Sequence, residues 1–141
     1  MLYSNRRDCE AAVRRTGLKW NSEGEHALEA SEVAKIIVDV AADKKASDIT
    51  MLDIRELSVI ADYFVICTGA NPRQIQSIAD AITDKMAELN ISRKIREGSA
   101  DSGWLLLDVG DVIVHVFGPM EREFYRLERL WSDAQTVVYL Q

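Results

Sequence analysis

The sequence predicts an α/β fold built on a mixed five-stranded sheet with helices packed on it. Segments whose apolar residues recur at helical spacing alternate with short β-branched and aromatic runs along residues 31–141. The chain has 141 residues, 48% hydrophobic and 28% charged, as in an ordinary globular domain. A domain of this length buries enough surface to fold without disulfides or a structural metal. The predicted order is helix, two strands, helix, three strands, helix.

Residues 1–30 are predicted to be a flexible N-terminal extension of the domain at 31–141, because polar and turn-forming residues interrupt their apolar patterns. The extension holds five basic and five acidic residues, so the domain carries the whole net charge of -6. An acidic domain gains little from counterion release on a nucleic acid. The charge therefore favours a basic protein surface as the partner and argues against direct nucleic-acid binding.

Two cysteines, Cys9 and Cys67, are too few for a disulfide framework or a zinc site. A reducing cytoplasm is the expected compartment, and no metal or other cofactor is predicted. Arginine pairs in the extension are typical of an organellar transit peptide, but its acidic residues argue against one. No apolar stretch approaches the roughly 20 residues of a membrane helix, so no membrane association is expected.

The first predicted helix begins at Ser31, a favourable N-cap, and its apolar residues recur at helical spacing as far as Ala41. A strand over residues 49–54 follows, with side chains that alternate between two faces. Residues 63–68 (YFVICT) are aromatic and β-branched. That composition predicts a central strand buried on both faces.

The second predicted helix has Asn71 as its N-cap and Pro72 at its first position, and an apolar stripe continues to Leu89. Residues 92–97 then predict a short third strand. Its basic side chains are typical of a strand at the edge of a sheet.

The clearest local signal is a β-hairpin. Two apolar runs, residues 104–109 and 112–117, flank the pair Gly110 and Asp111, which favours a two-residue turn. Pro119 opens a third helix with four apolar residues on one side: Phe124, Leu127, Leu130 and Trp131. The apolar residues 136–140 either pack back on the body or add a short strand.

Asp108 and Asp111 form the pair of carboxylates that most resembles a catalytic site. Two carboxylates three residues apart could hold magnesium for nucleotidyl transfer. However, both flank a predicted turn, where aspartate commonly bonds to the backbone. No glycine-rich phosphate loop accompanies them. The turn interpretation is favoured, and a magnesium-dependent nucleotidyltransferase-like enzyme is the alternative.

Three other residues raise the choice between a structural and a functional role. Trp104 begins the hairpin, and the sequence does not separate a core tryptophan from an exposed anchor at an interface. His115 lies between valines without a nucleophile partner nearby in sequence, which favours a structural role over a catalytic base. Cys67 lies in the most apolar strand, where cysteine usually acts as a small hydrophobic residue.

Four longer motifs resemble one known family, the ribosomal silencing factors, also called RsfS or Iojap-like proteins. They are residues 61–69 (ADYFVICTG), 101–104 (DSGW), 107–115 (LDVGDVIVH) and 125–131 (YRLERLW). The resemblance covers about residues 31–134 and leaves the extension outside.

The resemblance implies a non-enzymatic function, which the spacing of residues along the sequence does not show by itself. Members of the family bind the large ribosomal subunit at a basic ribosomal protein beside the subunit interface, block subunit joining and repress translation. They can form homodimers, and their fold is similar to a degenerate nucleotidyltransferase core. Carried over by motif, the partner-binding residues are the tryptophan and the hairpin turn: Trp104, Asp108, Val109, Gly110 and Asp111. Val109 resembles a bulkier leucine in other members, which implies a smaller contribution from it.

Overall fold

The computed structural model describes residues 19–20, 26–91 and 95–141. The predicted flexibility of the extension therefore falls largely outside the described residues. Four helices are described: α1 (Ala30–Asp43), α2 (Pro72–Glu88), α3 (Pro119–Tyr125) and α4 (Leu127–Leu130). The described strands are β1 (Lys19–Trp20), β2 (His26–Ala27), β3 (Ser47–Asp53), β4 (Tyr63–Thr68), β5 (Ile95–Ser99), β6 (Trp104–Asp108), β7 (Val112–Phe117) and β8 (Gln135–Leu140).

The predicted mixed sheet with packed helices is confirmed. Its strand order is β5-β6-β7-β4-β3-β8, and a separate pair joins β1 to β2. Strands β4 and β7 are parallel, whereas every other pair in the large sheet is antiparallel. The described sheet has six strands instead of five, because β8 adds to the edge at β3. The predicted central strand is β4, whose six residues are all buried.

One face of the sheet packs against α1 and α2, and we call it the covered face. Apolar side chains of both helices, among them Ile37 and Ile82, meet alternate residues of β3, β4, β6 and β7 in one buried cluster. Asn71 caps α2 as predicted, since its side chain accepts a hydrogen bond from the Gln74 amide at 2.9 Å. Helix α1 differs from the prediction, because it begins at Ala30 with Glu29 at the N-cap position.

The other face carries Trp104, Leu106 and Asp108 on β6, and we call it the open face. A smaller buried cluster lies here, with Phe64 and Phe117 on the sheet and Leu127 from α4. The two helices that pack on this side have only seven and four residues. Side chains alternate between the two faces along each strand. Because longer helices pack on one side than on the other, the sheet has one well covered face and one partly exposed face.

The C-terminal helix differs from its prediction. Arg126 adopts a left-handed conformation with φ 43° and separates α3 from α4. Because of this break, the apolar residues before and after Arg126 do not lie on one helical face. Phe124 is 81% exposed and Leu130 is 76% exposed, while Leu127 is buried. Within the described part of the chain, no helix combines the length and apolar character that a bilayer crossing requires.

Candidate functional site on the open face

The predicted hairpin turn is confirmed, and Asp108 organises it. The Val109 amide donates to the Val112 carbonyl at 3.0 Å, which leaves Gly110 and Asp111 as the two turn residues. Gly110 has φ 98°, a value that glycine adopts at no steric cost. The Gly110 amide also donates to the Asp108 carboxylate at 2.9 Å. This bond is the side chain–backbone contact expected of an aspartate in a turn.

The turn is fixed to the start of β4. The Asp111 carbonyl accepts hydrogen bonds from the amides of Asp62, at 2.7 Å, and Tyr63, at 3.2 Å. Backbone bonds therefore hold this corner of the sheet, and the position of Asp111 follows from the fold rather than from a mobile loop.

Trp104 lies at the other end of β6 in a group of aromatic rings. Its ring centre is 5.1 Å from Phe117 and 4.6 Å from Tyr125, which comes from the end of α3. The indole N–H donates to Nδ1 of His115 at 3.2 Å. The side chain is partly exposed, so it is neither a full core residue nor a free surface residue.

His115 is buried beneath Trp104, with 4% of its surface exposed. It stacks on Phe117 at 6.1 Å and meets the Phe64 ring edge to face at 4.9 Å. Burial lowers the pKa of His115 to about 4, so the ring is neutral near pH 7. Because Nδ1 accepts the indole proton, the hydrogen of the neutral ring must lie on Nε2.

Arg122 attaches the short helices to the open face. Its guanidinium donates to the hydroxyls of Thr68, at 3.0 Å, and Thr50, at 3.3 Å, and also pairs with Glu128. Arg122 belongs to α3 and Glu128 to α4, so one side chain links both helices to β3 and β4. This link helps to hold Tyr125 beside Trp104.

The structure divides the predicted binding residues among three places. Trp104 and Asp108 share the open face but lie at opposite ends of β6, about 13 Å apart along the strand. Gly110 and Asp111 form the turn. Val109 is only 8% exposed and packs in the cluster of the covered face, so its side chain offers little surface to a partner.

Register places further residues on the open face that the sequence did not single out. Leu106 lies between Trp104 and Asp108 and is partly exposed. Ile95 and Glu97 on β5 pair with Asp108 and Leu106, and both are exposed. Alternation on β6 was the available signal for Leu106, whereas the register of β5 could not be read from the sequence.

The geometry adds no support for metal chemistry at the aspartate pair. Among the described residues, no group of three or more histidine, cysteine or acidic side chains could hold a metal ion. Cys67 is fully buried, and this burial raises its thiol pKa to about 12. A thiol with that pKa is not a nucleophile near pH 7.

Comparison with known proteins identifies the family. The family model described as "Ribosomal silencing factor during starvation" matches residues 27–141. Ribosomal silencing factor RsfS of Bacillus subtilis is 46% identical, over 72% of this chain and 86% of its own length. RsfS of Halalkalibacterium halodurans is 42% identical, over 75% of this chain and 91% of its own. The maize protein named Iojap, chloroplastic, is 34% identical, over 82% of this chain and 50% of its own.

Solved structures agree with these matches. A crystal structure of a Chromobacterium violaceum protein superposes with a TM-score of 0.71 at 32% identity, covering 79% of this chain and 92% of that one. A Bacillus halodurans protein superposes with a TM-score of 0.67 at 38% identity, covering 77% and 98%. The chain therefore belongs to the ribosomal silencing factor family, RsfS.

Proposed function

We propose that this protein is a silencing factor that binds the large ribosomal subunit and prevents the small subunit from joining, which represses translation. Membership of the RsfS family supports the ribosomal role. The subunit, the contact surface and the blocking step are our inference from the open face and from the family resemblance. We expect this function in the cytoplasm, although a plant relative is named as chloroplastic.

One observation carries the choice of surface: the open face has an apolar centre with an acidic rim. Trp104 and Leu106 are partly exposed on β6, Glu97 pairs with Leu106 from β5, and Asp108 ends β6 just before the turn that holds Asp111. Protein interfaces commonly have this anatomy, and tryptophan is enriched among the residues that contribute most to binding.

The charge of the rim specifies the chemistry of the partner. The whole chain carries a net charge of -6. Two carboxylates, those of Glu97 and Asp108, lie on the open face, and Asp111 lies in the hairpin turn at its end. A basic ribosomal protein beside the subunit interface would complement this rim, and the attraction would raise the rate of association. Blocking would follow from occupancy of the surface rather than from a reaction. A homodimer, which the resemblance implies, stays a prediction.

Binding to purified large subunits tests the proposal. The double variant Trp104→Ala, Asp111→Lys removes the aromatic anchor and reverses one rim charge. We expect its Kd to rise at least about thirtyfold, because loss of an interface anchor commonly costs 2 kcal/mol or more. In a subunit-joining assay the variant should no longer inhibit.

The matched control is Asp84→Lys. It changes the net charge in the same way, but Asp84 is exposed on α2 beside the covered face. Its affinity for large subunits should stay within about twofold of the parent protein, because exposed charges far from a contact have small screened effects. Full affinity in the double variant, with its fold intact, would contradict the proposed surface.

A further inference from the structure

We propose that His115 is a positioning residue for binding: its Nδ1 atom holds the Trp104 indole in the orientation that the large subunit recognises. The final step of this inference rests on the proposed function. The link between the two side chains can be tested in the free protein.

The Trp104 indole has one polar atom and directs it inward. Tryptophan offers a single donor, Nε1–H, and in Trp104 that donor is bonded to His115 at 3.2 Å. The polar edge of the ring therefore faces the sheet, which leaves the exposed part of the ring apolar. Phe117 and Tyr125 limit its tilt by ring contacts, whereas the atom that accepts the N–H is Nδ1 of His115.

The acceptor, His115, is itself held in place by its neighbours. His115 is buried, stacks on Phe117 and meets Phe64 edge to face, and its strand lies between β6 and β4. A hydrogen bond to a fixed acceptor restricts the indole to fewer orientations than ring contacts alone. Binding then costs less ordering of the anchor, which is the benefit of preorganisation.

Histidine at position 115 differs from a hydrocarbon side chain in its two ring nitrogens. Within the described part of the chain, Nε2 of His115 is buried without a hydrogen-bond partner. A buried, unpaired donor is destabilising. Leucine or phenylalanine would fill the space without that penalty. Histidine adds an acceptor for Trp104, which neither hydrocarbon supplies.

The positioning link is tested first without ribosomes. In a ¹H–¹⁵N spectrum, the Trp104 indole signal is assigned by its absence in Trp104→Phe. His115→Phe should shift this signal and speed its exchange with solvent about tenfold or more, while the Trp131 indole signal serves as the reference. An unchanged Trp104 signal in His115→Phe would overturn the inference. His115→Leu has the same expected outcomes and replaces the phenylalanine variant if that variant does not fold.

The effect on binding is tested by a double-mutant cycle with purified large subunits. His115→Phe should raise the Kd roughly three- to tenfold, the effect of one hydrogen bond. In the Trp104→Phe background, which lacks the N–H, the same change should have no further effect. Equal weakening in both backgrounds would show that His115 acts only through the general fold and would overturn the inference.

Failure of the proposed function gives a different pattern. If Trp104→Ala binds large subunits as tightly as the parent protein, the surface is wrong and His115 has no role in binding. The indole spectrum would still report whether the hydrogen bond forms. The two failures are therefore distinguishable.

Discussion

The two faces of the central sheet differ in what covers them. The covered face packs against two helices of 14 and 17 residues, and many of its side chains are fully buried. The open face packs against helices of seven and four residues and leaves Trp104 and Leu106 partly exposed. One sheet therefore has a face that stabilises the fold and a second, less covered face, to which we assign partner binding as a proposal.

The buried polar residues show the same division. Among the described residues, the polar side chains that are buried are Thr50, Thr68 and His115, and all three face the open side. Each contacts a residue that shapes this face: both threonines bind Arg122, and His115 binds Trp104. Polar groups away from water stabilise a fold only when they are paired. Their placement here gives fixed orientation to Arg122 and Trp104.

The largest effect that separates the two faces should follow a truncation on the covered face. Ile82→Ala removes a fully buried side chain, and we expect the free energy of unfolding to fall by about 2–5 kcal/mol. Denaturant titration measures this change, and large-subunit binding by the folded fraction should be unchanged. Leu130→Ala is the control, because its side chain is 76% exposed and the expected change is within about 0.5 kcal/mol. Similar losses in both variants would contradict the division between the faces.

A smaller loss of stability, which originates at His115 on the open face, should appear as the pH is lowered. The pKa of His115 is about 4 in the folded protein and 6.5 in a model peptide, so the unfolded chain binds a proton more readily. The contribution of neutral His115 to the free energy of unfolding is therefore fully present above pH 6.5. It is lost as the pH falls towards 4, by roughly 3 kcal/mol at most. Denaturant titrations across this range should show the decrease in the parent protein. A matched series with His115→Gln should lack this component. If the free energy of unfolding depended equally on pH in both proteins, another group would be responsible.

Local sequence signals predicted the parts of the fold that depend on neighbouring residues. The hairpin around Gly110, the cap at Asn71 and the buried strand β4 each depend on a few adjacent side chains, and all three are confirmed. The break at Arg126 was missed because a left-handed arginine has no clear sequence signature. The role of residues 136–140 was left open because strand pairing with β3 is a long-range contact.

The candidate site was predictable only in part for the same reason. The motifs indicated Trp104 and Asp108, which alternation places on one face of β6. They also indicated Val109, whose side chain lies on the opposite, buried face. The bond between Trp104 and His115 and the approach of Glu97 depend on strand register. Strand register brings together residues that are far apart in the sequence, and the spacing of residues along the chain does not predict these contacts.

Site-directed photo-cross-linking to large ribosomal subunits tests the central claim most directly. One photoreactive residue replaces Glu97, which is exposed on the open face, and in a second protein it replaces Asp84, which is exposed on α2. Both substitutions remove one acidic side chain, so the two proteins are matched in charge. We predict that the Glu97 position cross-links to a basic protein of the large subunit and that the Asp84 position does not. Cross-linking from Asp84 alone would contradict the assignment of ribosome binding to the open face.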